Sequence, residues 1–97
     1  MKKEADVKRE VKKILDDLGA WWFMPVPVGY GKQGVPDFIV CLNTRFIAIE
    51  TKYGSNKLTA WQERQIDGID TAGGWTFVIN ERNIDGLKPA LQAICQL

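Results

Sequence analysis

The chain has 97 residues, of which 45% are hydrophobic and 26% are charged, and its formal net charge is +1. This composition predicts one folded domain, residues 1–97, without the basic surplus that is usual in a nucleic-acid-binding protein. Histidine is absent, which excludes Ser-His-Asp and Cys-His catalysis, histidine general bases and histidine-based zinc sites.

An amphipathic helix is predicted over residues 3–18, because apolar side chains recur there at spacings of three and four residues. Its opposite face holds four cations, which we interpret either as a solvated surface or as a contact for phosphates: Lys8, Arg9, Lys12 and Lys13. Glu4 and Glu10 each lie three residues from Val7, at opposite edges of the apolar stripe. Both are typical surface acids of a helix, and Glu4 would also interact favourably with the helix dipole.

The next stretch, residues 20–28, is apolar and aromatic, and its two prolines favour an extended strand at a sheet edge. We expect its aromatic side chains to pack in the core and at that edge, with an exposed fraction available for a subunit contact: Trp21, Trp22 and Phe23.

Three glycines among residues 29–34 predict a loop. Glycine lets a backbone approach a phosphate closely, a lysine can neutralise the phosphate, and a tyrosine can stack or form a hydrogen bond. We interpret the loop either as a mobile connector or as a DNA contact made by four residues: Tyr30, Gly31, Lys32 and Gln33. The Gly-Lys-Ser/Thr ending of a Walker phosphate loop is missing.

A β-hairpin is predicted over residues 37–52, where two runs of β-branched and aromatic residues flank an Asn-Thr step. Because side chains alternate along a strand, Glu50 and Lys52 project to one side where the second strand ends. Pro36 restrains the backbone just before Asp37, at the entrance of the first strand. We therefore expect Asp37 and Glu50 to meet with Lys52 beside them. A purely structural Glu50–Lys52 ion pair is the alternative, and it leaves Asp37 unexplained.

A second helix is predicted over residues 60–72 after a polar loop. Four of its side chains are available for burial: Trp61, Gln65, Ile66 and Ile69. Thr59 and Gln62 match a capping box, so Gln62 is either a cap residue alone or also part of a site. Lys57 and Arg64 flank this region, and we interpret them either as solvated side chains or as contacts for backbone phosphates.

A buried strand over residues 75–80 comes next, and the strand-helix-strand order predicts a right-handed crossover between parallel strands. In the tail from Asn83, apolar residues recur at helical spacing, and Pro89 predicts a kink or a division into two pieces. Cys41 and Cys95 lack CxxC spacing, so we expect buried free thiols and a reducing cytoplasm.

The sequence offers no membrane or export signal. No apolar run approaches the ~20 residues of a membrane span. The N-terminal lysines are not followed by the hydrophobic core of a signal peptide. We therefore expect a soluble protein that is not exported and has no membrane partner.

The two acids and their surroundings resemble a known nuclease signature. Pro36-Asp37 followed by Glu50-Thr51-Lys52 resembles the PD-(D/E)XK motif. The wider pattern, residues 29–38 and 49–52 with Gln62 on the following helix, is similar to the VRR-NUC branch of that superfamily. The resemblance covers most of the chain and implies a single VRR-NUC-like nuclease domain. Its fold would be α/β, a restriction-endonuclease-like core with a mixed four-stranded sheet flanked by helices in the order αβββαβα.

The resemblance also implies five catalytic residues: Asp37, Glu50, Lys52, Glu4 and Gln62. Glu10 is the alternative to Glu4 for completing the site from the first helix. A Mg²⁺ or Mn²⁺ ion would be held by Asp37, Glu50 and the carbonyl of Thr51, and its charge would offset the low net charge of the chain. Lys52 would orient the attacking water or stabilise developing negative charge.

The implied activity is that of a metal-dependent, structure-selective DNA endonuclease acting on four-way (Holliday) junctions or other branched DNA. Symmetric cutting of a junction requires two active sites related by a twofold axis, so a homodimer is expected. The alternatives are a less selective DNA nickase or end-processing nuclease, and a catalytically idle DNA-binding or assembly module. The complete set of Asp37, Glu50 and Lys52 argues against the idle module.

Overall fold

The computed structural model describes all 97 residues, and its elements follow the predicted order αβββαβα. The helices and strands are α1 (Glu4–Asp17), β1 (Trp21–Phe23), β2 (Phe38–Leu42), β3 (Arg45–Thr51), α2 (Ala60–Thr71), β4 (Trp75–Ile79) and α3 (Leu87–Ile94). A 3₁₀ turn, Ile84–Gly86, precedes α3 and accounts for the predicted division of the C-terminal helix. Pro89 therefore lies in the first turn of α3, where proline breaks no intrahelical hydrogen bond. None of the helices is long and apolar enough to cross a membrane.

The four strands form one mixed sheet in the order β1-β2-β3-β4. β2 pairs antiparallel with both β1 and β3, and β3 pairs parallel with β4, which confirms the predicted parallel pairing. Asn43 and Thr44 form the two-residue turn between β2 and β3, with φ angles of 48° and 70°. This short turn pairs Phe38 with Ile49, so β2 begins and β3 ends at the same end of the sheet.

The hydrophobic core lies on one face of the sheet, under α1 and α3. The apolar periodicity of α1 is confirmed, since its buried residues are Val7, Val11, Ile14 and Leu15. Alternate residues of the central strands point into the same cluster: Phe38, Val40, Leu42, Ile47 and Ile49. The C-terminal helix adds Leu87, Leu91 and Ile94. This core therefore packs beneath the end of the sheet at which Asp37 and Glu50 lie.

The opposite face of the sheet is covered only by α2, and only in part. No residue of α2 is fully buried. Of the four side chains expected to be available for burial, Trp61 is 49% exposed, and the other three are half-buried: Gln65, Ile66 and Ile69. The physical reason is that α2 packs mainly against β4, which is the strand at one edge of the sheet. In β4 itself only Ile79 is buried, where a buried strand was predicted.

The outer half of that face, on β1 and β2, is open. β1 is an edge strand as predicted, but it spans three residues, and Trp21 and Phe23 are 65% and 45% exposed rather than in the core. Cys41 is exposed and Cys95 is half-buried, so the expectation of buried thiols is wrong. Cys41 alternates with the buried Val40 along β2, which places it on the face that α2 leaves uncovered.

Candidate active site

Asp37 and Glu50 lie side by side at the end of the sheet where β2 begins and β3 ends. The backbone N–H of Asp37 donates a 3.1 Å hydrogen bond to Oε1 of Glu50. In return, Thr51 donates to Oδ2 of Asp37 from its backbone N–H at 3.0 Å and from its hydroxyl at 2.5 Å. The orientation of each acid is therefore fixed by the other acid's strand.

Gly34 sets the distance between the loop that leads to Asp37 and the first turn of α2. Its φ is +75°, and a Cβ atom there would lie 2.4 Å from the carbonyl carbon of Trp61 and 2.6 Å from the backbone nitrogen of Gln62. Only glycine fits this close contact of two backbones. The contact holds the helix turn that contains Gln62 next to the two acids.

Gln62 makes both contacts that its two interpretations require. Its Oε1 accepts a 3.0 Å hydrogen bond from the N–H of Thr59, and its own N–H donates to the Thr59 hydroxyl at 3.1 Å, which completes a capping box. Its Nε2 donates a 3.0 Å hydrogen bond to Oε2 of Glu50. The cap therefore orients the amide that reaches the site.

Glu50 is a buried carboxylate next to a second negative charge. It is 4% exposed, and this burial, followed by the charge of Asp37, raises the pKa of Glu50 to about 7. The largely buried ammonium of Lys52 lies 3.7 Å from Oε2 of Glu50 and acts in the opposite direction. One lysine does not fully offset the two acids, so the site favours a further positive charge.

Glu4 approaches the site from the start of α1, and Lys8 accompanies it. Nζ of Lys8 donates a 3.0 Å hydrogen bond to Oε2 of Glu4. Burial acts to lower the pKa of Lys8, but the bond to Glu4 and the charges of Asp37 and Glu50 outweigh it and raise that pKa. Lys8 is half-buried, whereas the other cations predicted on the same face are exposed: Arg9, Lys12 and Lys13. Contact of these cations with phosphates stays a prediction.

The remaining predicted residues lie outside this cluster of hydrogen bonds. Glu10 lines a separate surface cleft with Lys2 and Asp6. A cleft of about 420 Å³ beside Asp37 and Gln62 is lined by residues of the preceding loop, including Gly31, Lys32 and Gln33. Tyr30 is almost fully exposed, Lys57 is exposed, and the guanidinium of Arg64 lies 4.8 Å from the centre of the Trp61 ring. Contact with DNA stays a prediction for these side chains.

Three residues with a structural role at this site had not been singled out for it: Lys8, Gly34 and the Thr51 hydroxyl. The four-residue spacing of Glu4 and Lys8 was the available signal for Lys8, because such pairs are neighbours on a helix surface. The sequence around Gly34 holds no signal for its contact with α2, because that helix is distant in the chain.

The donor set fits a hard divalent cation held with substrate. No group of three or more His, Cys, Asp or Glu side chains is arranged to hold a metal ion. Mg²⁺, however, is commonly bound through one or two carboxylates, with water and substrate phosphates completing its shell. Oδ1 of Asp37 accepts no hydrogen bond from the protein and is free for such a ligand. Ligation by Asp37, Glu50 and the Thr51 carbonyl stays a prediction.

Comparisons with known proteins support this architecture through structure alone. No protein-family sequence model matches the chain, and no curated protein sequence does. A solved structure described as a VRR_NUC domain matches with a TM-score of 0.76 and 24% identity, over 90% of this chain and 95% of that one. A VRR_NUC domain protein gives a TM-score of 0.69 and 21% identity, over 93% and 85%.

A third matching structure is Hjc of Archaeoglobus fulgidus, described as a Holliday junction resolvase from an archaeal hyperthermophile. Its TM-score is 0.59 and its identity 19%, over 78% of this chain and 66% of that one. At these identities the likeness concerns the fold. The chain has the α/β fold of the VRR_NUC domain structures and of this resolvase, which confirms the fold that its sequence resemblance implied.

Proposed function

We propose that the chain is a nuclease of the VRR-NUC type, a divalent-metal-dependent endonuclease that cuts branched DNA such as four-way junctions. The strongest support is that Asp37 and Glu50 lie together at one end of the sheet, where the N–H of Asp37 donates a 3.1 Å hydrogen bond to Oε1 of Glu50. Oε2 of Glu50 also has Gln62 at 3.0 Å and Lys52 at 3.7 Å. Two acids, an amide and a lysine form a set suited to phosphodiester hydrolysis without histidine.

In this proposal Asp37, Glu50 and the carbonyl of Thr51 bind Mg²⁺ or Mn²⁺. A bound ion of this kind supplies Lewis-acid activation of water and of the phosphate. Thr51 holds Oδ2 of Asp37 through two hydrogen bonds and leaves Oδ1 available to the ion. Gln62 fixes the rotation of the Glu50 carboxylate. Lys52 follows the last residue of β3, and its ammonium lies 3.7 Å from Oε2 of Glu50. It orients the attacking water and stabilises negative charge that develops on the phosphoryl oxygens.

The substrate is proposed from the surroundings of the site. The cleft beside Asp37 and Gln62 is lined by the glycine-containing loop, so a DNA backbone that enters it would meet both residues. Lys32 lines this cleft, and the exposed Tyr30 at the loop offers a surface for stacking on a splayed base. The fold is also that of Hjc, which is described as a Holliday junction resolvase. Branched DNA is therefore the substrate class we propose.

A homodimer belongs to the proposal because junction cutting needs two sites. Two rows of side chains cross three strands on the face opposite the core: Trp21, Cys41 and Phe46 in one, Phe23, Ile39 and Ala48 in the other. The first row is exposed, whereas in the second Ile39 is half-buried and Ala48 is buried. Phe46 is 48% exposed. Aromatic side chains bury about 150–250 Å² each, and the rings of Trp21, Phe23 and Phe46 are about half exposed, so together they present roughly 300 Å². A stable interface buries roughly 800 Å² per partner, so more than half of the contact would have to come from the surface around the rings.

The test is an assay of labelled four-way junctions, flaps and linear duplexes, each with Mg²⁺, Mn²⁺ or EDTA. We expect the wild-type protein to cut junctions preferentially and only with a divalent ion. Asp37→Asn, Glu50→Gln and Lys52→Ala should each lower the rate by about 100-fold or more, since each removes a group that acts in the transition state. Glu63→Gln, a change at an exposed acid in the first turn of α2, is the matched control and should keep the rate.

The same assay separates the alternatives. Equal cutting of linear duplex and junctions would favour a less selective nickase or end-processing nuclease. Binding of DNA without cutting of any substrate would favour the idle module. Cutting by Asp37→Asn or Glu50→Gln at the wild-type rate would contradict the assignment of the site.

A further inference from the structure

Trp61 is a large aromatic residue that the hydrophobic core leaves out. Its side chain is 49% exposed. It belongs neither to the core cluster nor to the partly buried side chains packed against that cluster. A single exposed ring is common on protein surfaces, so exposure alone does not make Trp61 a binding residue.

Trp61 differs from other exposed rings because its backbone is held at the candidate active site. A Cβ atom at Gly34 would lie 2.4 Å from its carbonyl carbon, so the loop that leads to Asp37 packs directly on it. The next residue, Gln62, donates the 3.0 Å hydrogen bond to Oε2 of Glu50. The Cα atoms of consecutive residues are about 3.8 Å apart. The Trp61 ring is therefore attached to a fixed backbone, one residue from a side chain that contacts Glu50.

Arg64 stacks on the Trp61 ring and has no other partner in the protein. Its guanidinium carbon lies 4.8 Å from the centre of the ring, which is within the range of a cation–π contact. Each of the other three arginines donates a hydrogen bond to a protein oxygen. Arg64 takes part in no ion pair, although Asp67 lies three positions further along the helix. Its exposed N–H groups are thus free for an acceptor that the chain does not supply.

Together, Trp61 and Arg64 offer the two contacts that an unpaired nucleotide can make. An indole ring stacks on a base of any sequence, and a guanidinium binds a phosphate through two parallel hydrogen bonds. Stacking requires a base with a free face, whereas the bases inside a duplex are already stacked on their neighbours. The ring is rigid and its backbone is fixed, so little conformational entropy is lost on binding. A branch point, where strands separate, supplies such a base.

We propose that Trp61 and Arg64 form a stacking platform, which binds an unpaired base and its phosphate next to the cleavage site and so selects branched over fully paired DNA. The inference deepens the proposed function and rests on it, because it takes the strand to be cut as lying beside Asp37 and Gln62. Tyr30 offers a more exposed ring on the loop, and Trp61 differs from it in having its backbone packed at the site. The platform acts on binding and selectivity and takes no part in the chemical step.

A surface stack that only stabilises α2 makes a different prediction. A cation–π contact at an exposed site contributes little to stability. Its loss would lower the melting temperature slightly and would affect the binding of all DNA substrates equally. A platform for an unpaired base affects only the substrates that contain one.

The test is fluorescence anisotropy with labelled DNA in EDTA, so that binding is measured without cleavage. The substrates are a flap with unpaired bases, the same flap with abasic sites in place of those bases, and a linear duplex. Trp61→Ala should weaken binding of the flap about tenfold, the order expected for one stacked base. It should leave binding of the abasic flap and of the duplex unchanged. Trp61→Phe retains a ring and should retain most of the affinity for the flap.

The contribution of Arg64 is measured through its charge and its shape. Arg64→Ala should weaken flap binding and reduce its salt dependence, because one phosphate contact is lost. Arg64→Lys keeps the charge without the planar group, so it should weaken flap binding less. The matched control is Lys88→Ala, which removes a positive charge from α3 on the other face of the sheet and should bind every substrate as the wild type does. Thermal melting identifies folded variants, and Trp61→Leu replaces Trp61→Ala if the latter does not fold.

Equal weakening of all three substrates by Trp61→Ala, or no weakening of any, would overturn the inference and leave the assignment of Asp37 and Glu50 in place. Equal binding of flap and duplex by the wild-type protein would overturn it as well. A protein that shows the expected binding pattern and cuts no DNA would instead contradict the proposed nuclease and still support the platform.

Discussion

At the scale of single residues, the property that distinguishes Glu50 is a buried negative charge that the protein offsets only in part. Glu50 receives hydrogen bonds from the N–H of Asp37 and from Gln62, and Lys52 is close to it. Burial and the adjacent acid nevertheless raise its pKa to about 7. An arrangement of this kind costs stability unless a cation is bound, which is typical of functional sites rather than of structural ion pairs.

The metal-free protein should therefore lose stability as the pH rises. Glu50 titrates near its ordinary value of 4.5 when unfolded and at about 7 when folded, so between these values the folded state retains a proton that the unfolded state has lost. The free energy of unfolding is then highest below the unfolded pKa and falls until the pH passes the folded one. The loss for this residue is at most about 3–4 kcal/mol, which is the equivalent of the difference between pKa values of 4.5 and about 7. Thermal melting in EDTA from pH 5 to pH 8 measures it.

Glu50→Gln tests the assignment of that pH dependence. The amide cannot ionise, so the stability of this variant should change less over the same range. Glu63→Gln alters an exposed acid and should retain the wild-type profile. Addition of Mg²⁺ at pH 8 should restore stability to the wild type, because a ligand that binds only the folded state stabilises it. Equal pH profiles for Glu50→Gln and the wild type would show that another group is responsible.

Local patterns predicted the two acids that lie on one hairpin, the family resemblance added Gln62 and Glu4 on the helices, and Lys8 was missed. The meeting of Asp37 and Glu50 follows from two strands and a two-residue turn, so strand periodicity was sufficient. Lys8 was not predicted because helix periodicity was judged from apolar residues alone. A lysine that continues a buried row resembles a polar-face residue until its partners across the fold are known.

At the scale of elements, the placement of α2 depends on one close contact more than on burial. The helix buries none of its residues fully, so few side chains fix its position on the sheet. Gly34 packs directly on the backbone of its first turn, and the same turn directs Gln62 toward Glu50. Displacement of this contact should affect both stability and the site.

Gly34→Ala should consequently cost much more stability than Gly54→Ala. Both glycines have positive φ, +75° and +64°, and alanine strains such a backbone by about 1–2 kcal/mol. At Gly34 the added Cβ would also lie 2.4 Å from the carbonyl carbon of Trp61, whereas at Gly54 nothing lies within 4 Å. Urea unfolding of the two variants measures the difference. An equal loss in both would contradict a packing role for Gly34.

Sequence patterns did not predict how much of each sheet face the helices cover. The sequence of elements, the hairpin and the parallel pairing of β3 with β4 followed from periodicity and connection rules, and the family resemblance implied the same order, αβββαβα. Periodicity marks which side chains are apolar, and it does not state whether a facing element is wide enough to bury them. Trp21, Phe23 and Trp61 were therefore expected to be less exposed than they are.

At the scale of the whole molecule, this incomplete coverage gives the sheet two unlike faces. One face is closed by α1 and α3 over a continuous core. The other has α2 near β4 and an apolar surface on β1, β2 and the start of β3. An open cleft of about 660 Å³ adjoins Phe46 on this side, so a second copy would find both a flat aromatic surface and a recess beside it.

If two copies meet on this face, a charged residue at its centre should separate them. The wild-type protein should elute with twice its chain mass of 11.0 kDa in size-exclusion chromatography with light scattering. Trp21→Glu and Phe46→Glu should elute as folded monomers, because each would bury an unpaired charge in the interface while leaving the core intact. Tyr30→Ser removes a more exposed aromatic ring from the loop and should remain dimeric. A monomeric wild-type protein at tens of micromolar would argue against the interface and against symmetric junction cutting. A dimer that survives both charged substitutions would place the contact on another surface.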